Sequence, residues 1–114
     1  MLKLIAFITA KPELSREAFI DYYENHHVPL VRRLLPSVGQ YRRSYVQDGL
    51  IPAGTAAPDY DVMTELLFDD QAALDAFWKT ISEPDVLAAI REDEASFLLS
   101  DRTRMVGVVQ HDAG

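Results

Sequence analysis

No cysteine occurs anywhere in the 114 residues. Disulfides, thiolate metal sites and cysteine nucleophiles are thereby excluded. Lack of disulfides fits a reducing compartment, so a cytoplasmic location is expected. Basic runs are missing too. The chain carries 11 Lys and Arg against 18 Asp and Glu, a formal net charge of −7. Its arginines come at most in local pairs (Arg32–Arg33, Arg42–Arg43, Arg102 and Arg104). Nucleic acid is therefore not an expected partner, because neutralising phosphates takes clustered cations. No apolar run is long enough to cross a bilayer, so no membrane role is expected. The opening MLKLIAFITAKPE superficially resembles a signal peptide. Its apolar run at residues 4–8 is too short for an h-region and one lysine is a thin n-region, so it reads as a β-strand.

What is present suits a single domain over residues 1–114. Apolar residues make up 48% of the chain, enough for a core, and 25% are charged, which is ordinary. A β-branched and aromatic strand is expected at residues 2–10, ended by Lys11–Pro12. Ser15 is placed to cap a helix with Glu17 in its first turn. Along that helix Phe19, Tyr22, Tyr23, His26, His27 and Leu30 recur at spacings of three and four. Pro29 should break or kink it near His27 and Val28. A short helical piece follows at 30–35. Strands are expected at 38–47 and 60–68, separated by a Gly-, Pro- and Ala-rich loop at 49–58. A helix at 69–79 is capped by Asp69 or Asp70, a further helical piece runs from 83 to about 98, and residues 104–110 form the last strand.

The order β-α-β-β-α-β is the split βαβ, ferredoxin-like pattern: an α+β fold with one four-stranded antiparallel sheet and helices on one face. Such a sheet should alternate apolar and polar residues. The first strand instead sets Leu2, Leu4, Ala6 and Ile8 on one face and Ile5 and Phe7 on the other. The third offers Val62, Leu66 and Phe68 against Met63 and Leu67, the fourth Val106 and Val108 against Met105 and Val109. Both faces ask for burial. A second copy, sheet facing sheet, supplies it, so a homodimer with a closed, partly apolar interior between the sheets is expected.

Three motifs carry a family resemblance. Phe19-x-x-Tyr22-Tyr23-x-x-x-His27-x-Pro29-Leu30 resembles the signature of the EthD-like family of the dimeric α/β-barrel superfamily. Glu65-x-x-Phe68-Asp69-Asp70 resembles its third strand and helix entry, and Asp93-Glu94-Ala95-x-Phe97 its late acidic–aromatic motif. The three stand in order across nearly the whole chain. Many relatives carry Trp where this chain has Tyr23, and the 49–58 loop has no counterpart in the resemblance. Similar folds host cofactor-free cyclases, dehydratases, lactone isomerases and quinone-forming monooxygenases, and others bind haem; fold analogy does not choose among them.

Tyr23 and His27, four apart, share a helix face, with the Tyr23 phenol placed to bind substrate by a hydrogen bond to its carbonyl. An imidazole titrates near neutrality and suits general acid–base work. At a helix break it would point into a cavity, partly exposed, so its removal should change stability little. The bland alternative is that His27 caps the broken helix. From the late motif, Asp93 is the carboxylate that would fix the imidazole tautomer, although a run such as 92–94 is usually a solvated helix face. Adjacent His26 and His27 point about 100° apart on an α-helix, and His111 lies near the C-terminus, so neither a metal nor a haem cofactor is expected. His26 should face solvent. Tyr41, Arg43 and Tyr45 alternate on one face of the second strand, either lining the interior as substrate contacts or forming an exposed face. Glu65, among apolar neighbours, is either a base of raised pKa or an ion-pair partner of Arg43. Two function classes follow: cofactor-free acid–base catalysis on a hydrophobic aromatic or polyketide-like molecule, or a module that binds such a molecule without turnover.

Overall fold

The computed structural model describes residues 2–114. Its elements are β1 (Leu2–Ile8), α1 (Arg16–Tyr22), a five-residue π-helical turn (Tyr23–His27), α2 (Val28–Leu34), β2 (Gln40–Tyr45), β3 (Val62–Phe68), α3 (Gln71–Ile81), α4 (Pro84–Glu94) and β4 (Arg104–Val109). The four strands form one antiparallel sheet in the order β2-β3-β1-β4. This is the ferredoxin-like α+β arrangement.

Local chemistry sets the helix starts. The Ser15 hydroxyl accepts from Ala18 N–H at 3.1 Å, and Asp70, not Asp69, accepts from Ala73 N–H at 2.9 Å. Pro84 opens α4, where its missing N–H costs no bond. α3 and α4 turn Phe77, Val86 and Ile90 inward onto Leu4, Leu66 and Phe68 of the sheet, together with Val31 and Leu35 of the α2 region. A second core joins Ala6, Ile8, Phe19, Tyr23, Val62, Phe97 and Leu98. Helices cover only the face that bears Leu4, Ala6 and Ile8. The other face presents Ile5, Phe7, Met63, Val106 and Val108, with a Lys3–Glu65 ion pair among them.

Some boundaries differ from expectation. Strand β2 is shorter than residues 38–47, although the Gly39 and Val46 N–H groups just outside it still donate to the Leu67 and Asp61 carbonyls. Helix α4 stops at Glu94, and the chain beyond it returns to pair Leu98 with Ala10. The 49–58 loop begins with a 3₁₀ turn at Asp48–Leu50 and includes Gly54 at φ 81°, a conformation that favours glycine. No helix is long and apolar enough to cross a membrane among the described residues.

Candidate active site

Pro29 does not break the helix. Backbone angles stay right-handed helical at Tyr22, Tyr23, His27 and Val28. The irregularity is instead the wider turn just before the proline, closed by a Val28 N–H to Tyr23 carbonyl bond across five residues. A proline has no N–H to give and its ring crowds the carbonyl four residues back. Widening the turn relieves that crowding, and such π turns recur at functional sites.

The turn fixes four aromatic side chains. Tyr22 stacks on His26 at 4.8 Å, and His26 is exposed. Tyr23 meets the His27 ring edge-on at 5.5 Å, and both are buried. Phe97, fully buried after α4, closes on His27, Tyr22 and Tyr23 at 5.0–5.3 Å. His27 is 4% exposed, so it is an interior residue and not the partly exposed one expected.

His27 and Asp93 meet. The His27 Nδ1–H donates to Asp93 Oδ2 at 2.8 Å, and the Tyr22 hydroxyl donates to Asp93 Oδ1 at 2.7 Å. Both carboxylate oxygens are thus engaged, and the Nδ1 proton is held in place. Nε2 has no hydrogen-bond partner among the described residues. Burial holds the His27 pKa below its ordinary value, and the Asp93 interaction opposes this only in part. The imidazole is therefore neutral at pH 7 with a lone pair on Nε2. Its folded-state pKa lies below the unfolded value of about 6.5, so its contribution to stability is fully present above that pH. As pH falls through the folded pKa the unfolded state binds more protons and the contribution is lost. The melting temperature of the wild type should drop more steeply below about pH 6.5 than that of His27→Asn; parallel curves would contradict a buried neutral His27.

Beside His27 lies a hydroxyl chain. Tyr41 donates to Tyr23 at 3.2 Å, and Tyr23 bonds Thr64 at 2.6 Å. Burial raises the pKa of both phenols. Behind Tyr41, Arg43 grips Glu24 of the π turn with two bonds of 2.9 and 2.6 Å, and Tyr45 donates to the same carboxylate. Arg43 also lies over the Tyr41 ring at 4.9 Å. The face of Tyr41, Arg43 and Tyr45 is thus the helix-covered one. Arg43 buttresses Tyr41 and does not line the cavity described below.

Glu65 is elsewhere. Its partner is Lys3, at 2.5 Å, on the uncovered face. Arg43 is registered opposite Thr64, and Arg42 opposite Glu65. Side chains alternate along a strand, so Glu65 and Arg43 project from opposite faces and cannot pair. The expected Glu65–Arg43 bridge is absent for that reason, and Glu65 does not join the cluster.

A cavity of about 100 Å³ lies between the helices and the sheet. Tyr23, His27, Tyr41 and Thr64 line it, with apolar neighbours such as Leu66, Phe77 and Ile90. The candidate site is therefore within one copy, on the helix side, not in the space between two facing sheets. Two further residues line it that sequence reading did not single out: Glu94, whose pKa burial raises, and Thr103, whose buried Oγ1 has no partner among the described residues. Glu94 stood in the late motif beside Asp93, but nothing in the motif says which of the two faces inward. Thr103 carries no sequence signal.

The EthD domain model matches residues 11–101. The chain belongs to the EthD family. Its fold is similar to an EthD family protein from Bacillus halodurans, at 22% identity and TM-score 0.66, covering 97% of this chain and 99% of that one. It is also similar to a dimeric ferredoxin-like protein of unknown function from Jannaschia, at 18% identity and TM-score 0.62, covering 96% and 98%. SnoaB, a cofactor-independent oxygenase from Streptomyces nogalater, matches at 12% identity and TM-score 0.58, covering 98% and 94%. No curated protein matches the sequence. Among the described residues of this EthD domain, no three His, Cys, Asp or Glu side chains gather as a metal site would require.

Proposed function

We propose that this EthD protein is a small-molecule enzyme running cofactor-independent acid–base chemistry on a hydrophobic aromatic or polyketide-like compound, with His27 as the proton-transfer group. One observation carries the reading: His27 lines an apolar cavity with Nδ1 committed to Asp93 and Nε2 unpartnered. That is how an orienting carboxylate prepares an imidazole to take a proton. The cofactor-independent chemistry of SnoaB, on the same fold, is compatible with it. The volume of about 100 Å³ is below the roughly 150 Å³ of a dry cavity that takes benzene, so one small ring is the upper limit of what it holds without rearrangement.

The test is a pH–rate profile on a substrate found by screening single-ring ketones and phenols. The rate should fall on the acid side, through a pKa below the ordinary histidine value, as Nε2 becomes protonated. A rate with no such acid-side fall would contradict His27 as a base. A ligand bound tightly and released unchanged under every condition would favour the binding-module reading.

We also infer a homodimer joined through the uncovered sheet face. Apolar Ile5, Phe7, Met63, Val106 and Val108 share that face, and Val106 is 46% exposed in the single chain. Wild type should sediment at twice its 12.9 kDa chain mass, and Val106→Lys should shift it toward the monomer. A wild type that stays monomeric at micromolar concentration would contradict the interface.

A further inference from the structure

Three residues that line the cavity carry polar groups with no hydrogen bond to protein among the described residues: His27 at Nε2, Glu94 at its carboxyl and Thr103 at its buried Oγ1. Buried polar atoms are nearly always satisfied, and a buried hydroxyl left without a partner asks for one from outside the chain. The remaining hydroxyls, of Tyr23, Tyr41 and Thr64, already satisfy one another. No Lys or Arg lines the cavity among the described residues. A ligand anion would therefore enter without a counter-charge and beside a carboxyl, a placement that desolvation disfavours.

Resting on the acid–base reading of His27, we propose that Glu94 is the site's second proton-transfer group, that Glu94 and Thr103 together hold the ligand's carbonyl oxygen, and that the ligand is a neutral, enolisable carbonyl compound, not an acid. Asp93 and Glu94 are neighbours in the last turn of α4 with divided tasks. Asp93 is bonded by His27 and Tyr22, whereas Glu94 lines the cavity. Negative charge at a helix C-terminus is unfavourable. For Asp93 two donors offset this; Glu94 has none. Burial raises the Glu94 pKa, with Asp93 adding to the rise and Arg91 opposing it.

The step balances without an oxidant. His27 Nε2 takes the proton from the carbon next to the carbonyl, and that C–H electron pair becomes the carbon–carbon double bond. The carbonyl π pair moves to oxygen, which takes the proton of Glu94 and keeps the Thr103 hydrogen bond. The products are an enol, an imidazolium and a carboxylate. Reversal returns both protons; where the enol is conjugated to a further C=C bond, return of the carbon-bound proton at the far end of that bond shifts the double bond and isomerises the ligand.

Cyclopentanone and cyclopentanecarboxylate are matched probes. Binding is read by ligand-observed NMR, and proton transfer by deuterium uptake next to the cyclopentanone carbonyl. Melting curves verify that each variant is folded. Wild type should bind the ketone, reject the carboxylate and accelerate uptake. Glu94→Gln, whose amide still donates a hydrogen bond, should keep the ketone but lose about 10²-fold or more in uptake. Thr103→Val should weaken ketone binding up to about tenfold. His27→Asn should bind the ketone and lose uptake. Equal binding of carboxylate and ketone, or no ketone binding, overturns the proposal. Wild-type uptake in Glu94→Gln overturns it too, and leaves the His27 reading standing if His27→Asn is inactive. Wild-type uptake in His27→Asn overturns the His27 reading and, with it, this one.

Discussion

Replacing His27 by asparagine is expected to lower turnover about 10²–10⁴-fold, the range that one positioned proton-transfer group supplies. The chain should still fold. The introduced side-chain amide can donate toward Asp93, so the carboxylate keeps a partner. His27→Ala is a different experiment. His27 is buried, and Asp93 Oδ2 would lose its donor. An acceptor stranded in this way costs about 1–3 kcal/mol. The alanine variant should therefore be both inactive and less stable, while the asparagine variant separates the two effects. His26→Ala should change neither, because His26 is exposed and its contact is a stacked Tyr22. Steady-state kinetics and thermal melts of the three variants decide. A His27→Asn protein that turns over at full rate would remove His27 from the chemistry.

The largest loss of stability should come from Phe97→Ala. This ring is fully buried and touches Phe19, Tyr22, Tyr23 and His27, so it joins the end of α4 to α1 and the π turn. Truncating a buried phenylalanine costs about 3–5 kcal/mol through lost burial and the cavity left behind. At about 4 °C per kcal/mol for a domain of this size, the melting temperature should fall by roughly 12–20 °C. Because Phe97 packs on the imidazole, turnover at temperatures where the variant is still folded should fall as well. Phe97→Leu should recover much of the stability. A Phe97→Ala protein that melts within a few degrees of wild type would mean that the joint between α4 and the π turn is held by something else, with the Asp93 bonds to His27 and Tyr22 the first suspects.

Much of the fold is readable from residue pattern. Apolar runs bounded by turn residues mark the strands, Ser15 and the pair Asp69–Asp70 mark helix starts, and the Tyr23–His27 spacing puts both rings together. Apolar residues at both odd and even positions of β1 mark a sheet with two faces to bury. Other features depend on contacts that no local pattern encodes. Proline inside a helical run predicts a kink or a stop equally well. A π turn results here, and the Phe97 and Asp93 contacts that hold it come from about 70 residues away in the chain. Glu65 and Arg43 illustrate register. The neighbours of each on its own strand follow from the sequence, but pairing depends on a one-residue offset between strands that only the assembled sheet reveals. Asp93 and Glu94 differ by one step around a helix end, and that step decides which carboxyl orients the imidazole and which lines the cavity.

The proposed role of His27 requires a neutral imidazole with its proton on Nδ1 and a free Nε2. Nitrogen-15 NMR of the histidine-labelled protein at pH 7 tests it most directly, with the His27 signal assigned by its absence from His27→Asn. The expected spectrum shows a protonated Nδ1 and an unprotonated Nε2, persisting below the pH at which an ordinary histidine has become charged. A proton on Nε2 at pH 7, whether in the other tautomer or in an imidazolium, would contradict it.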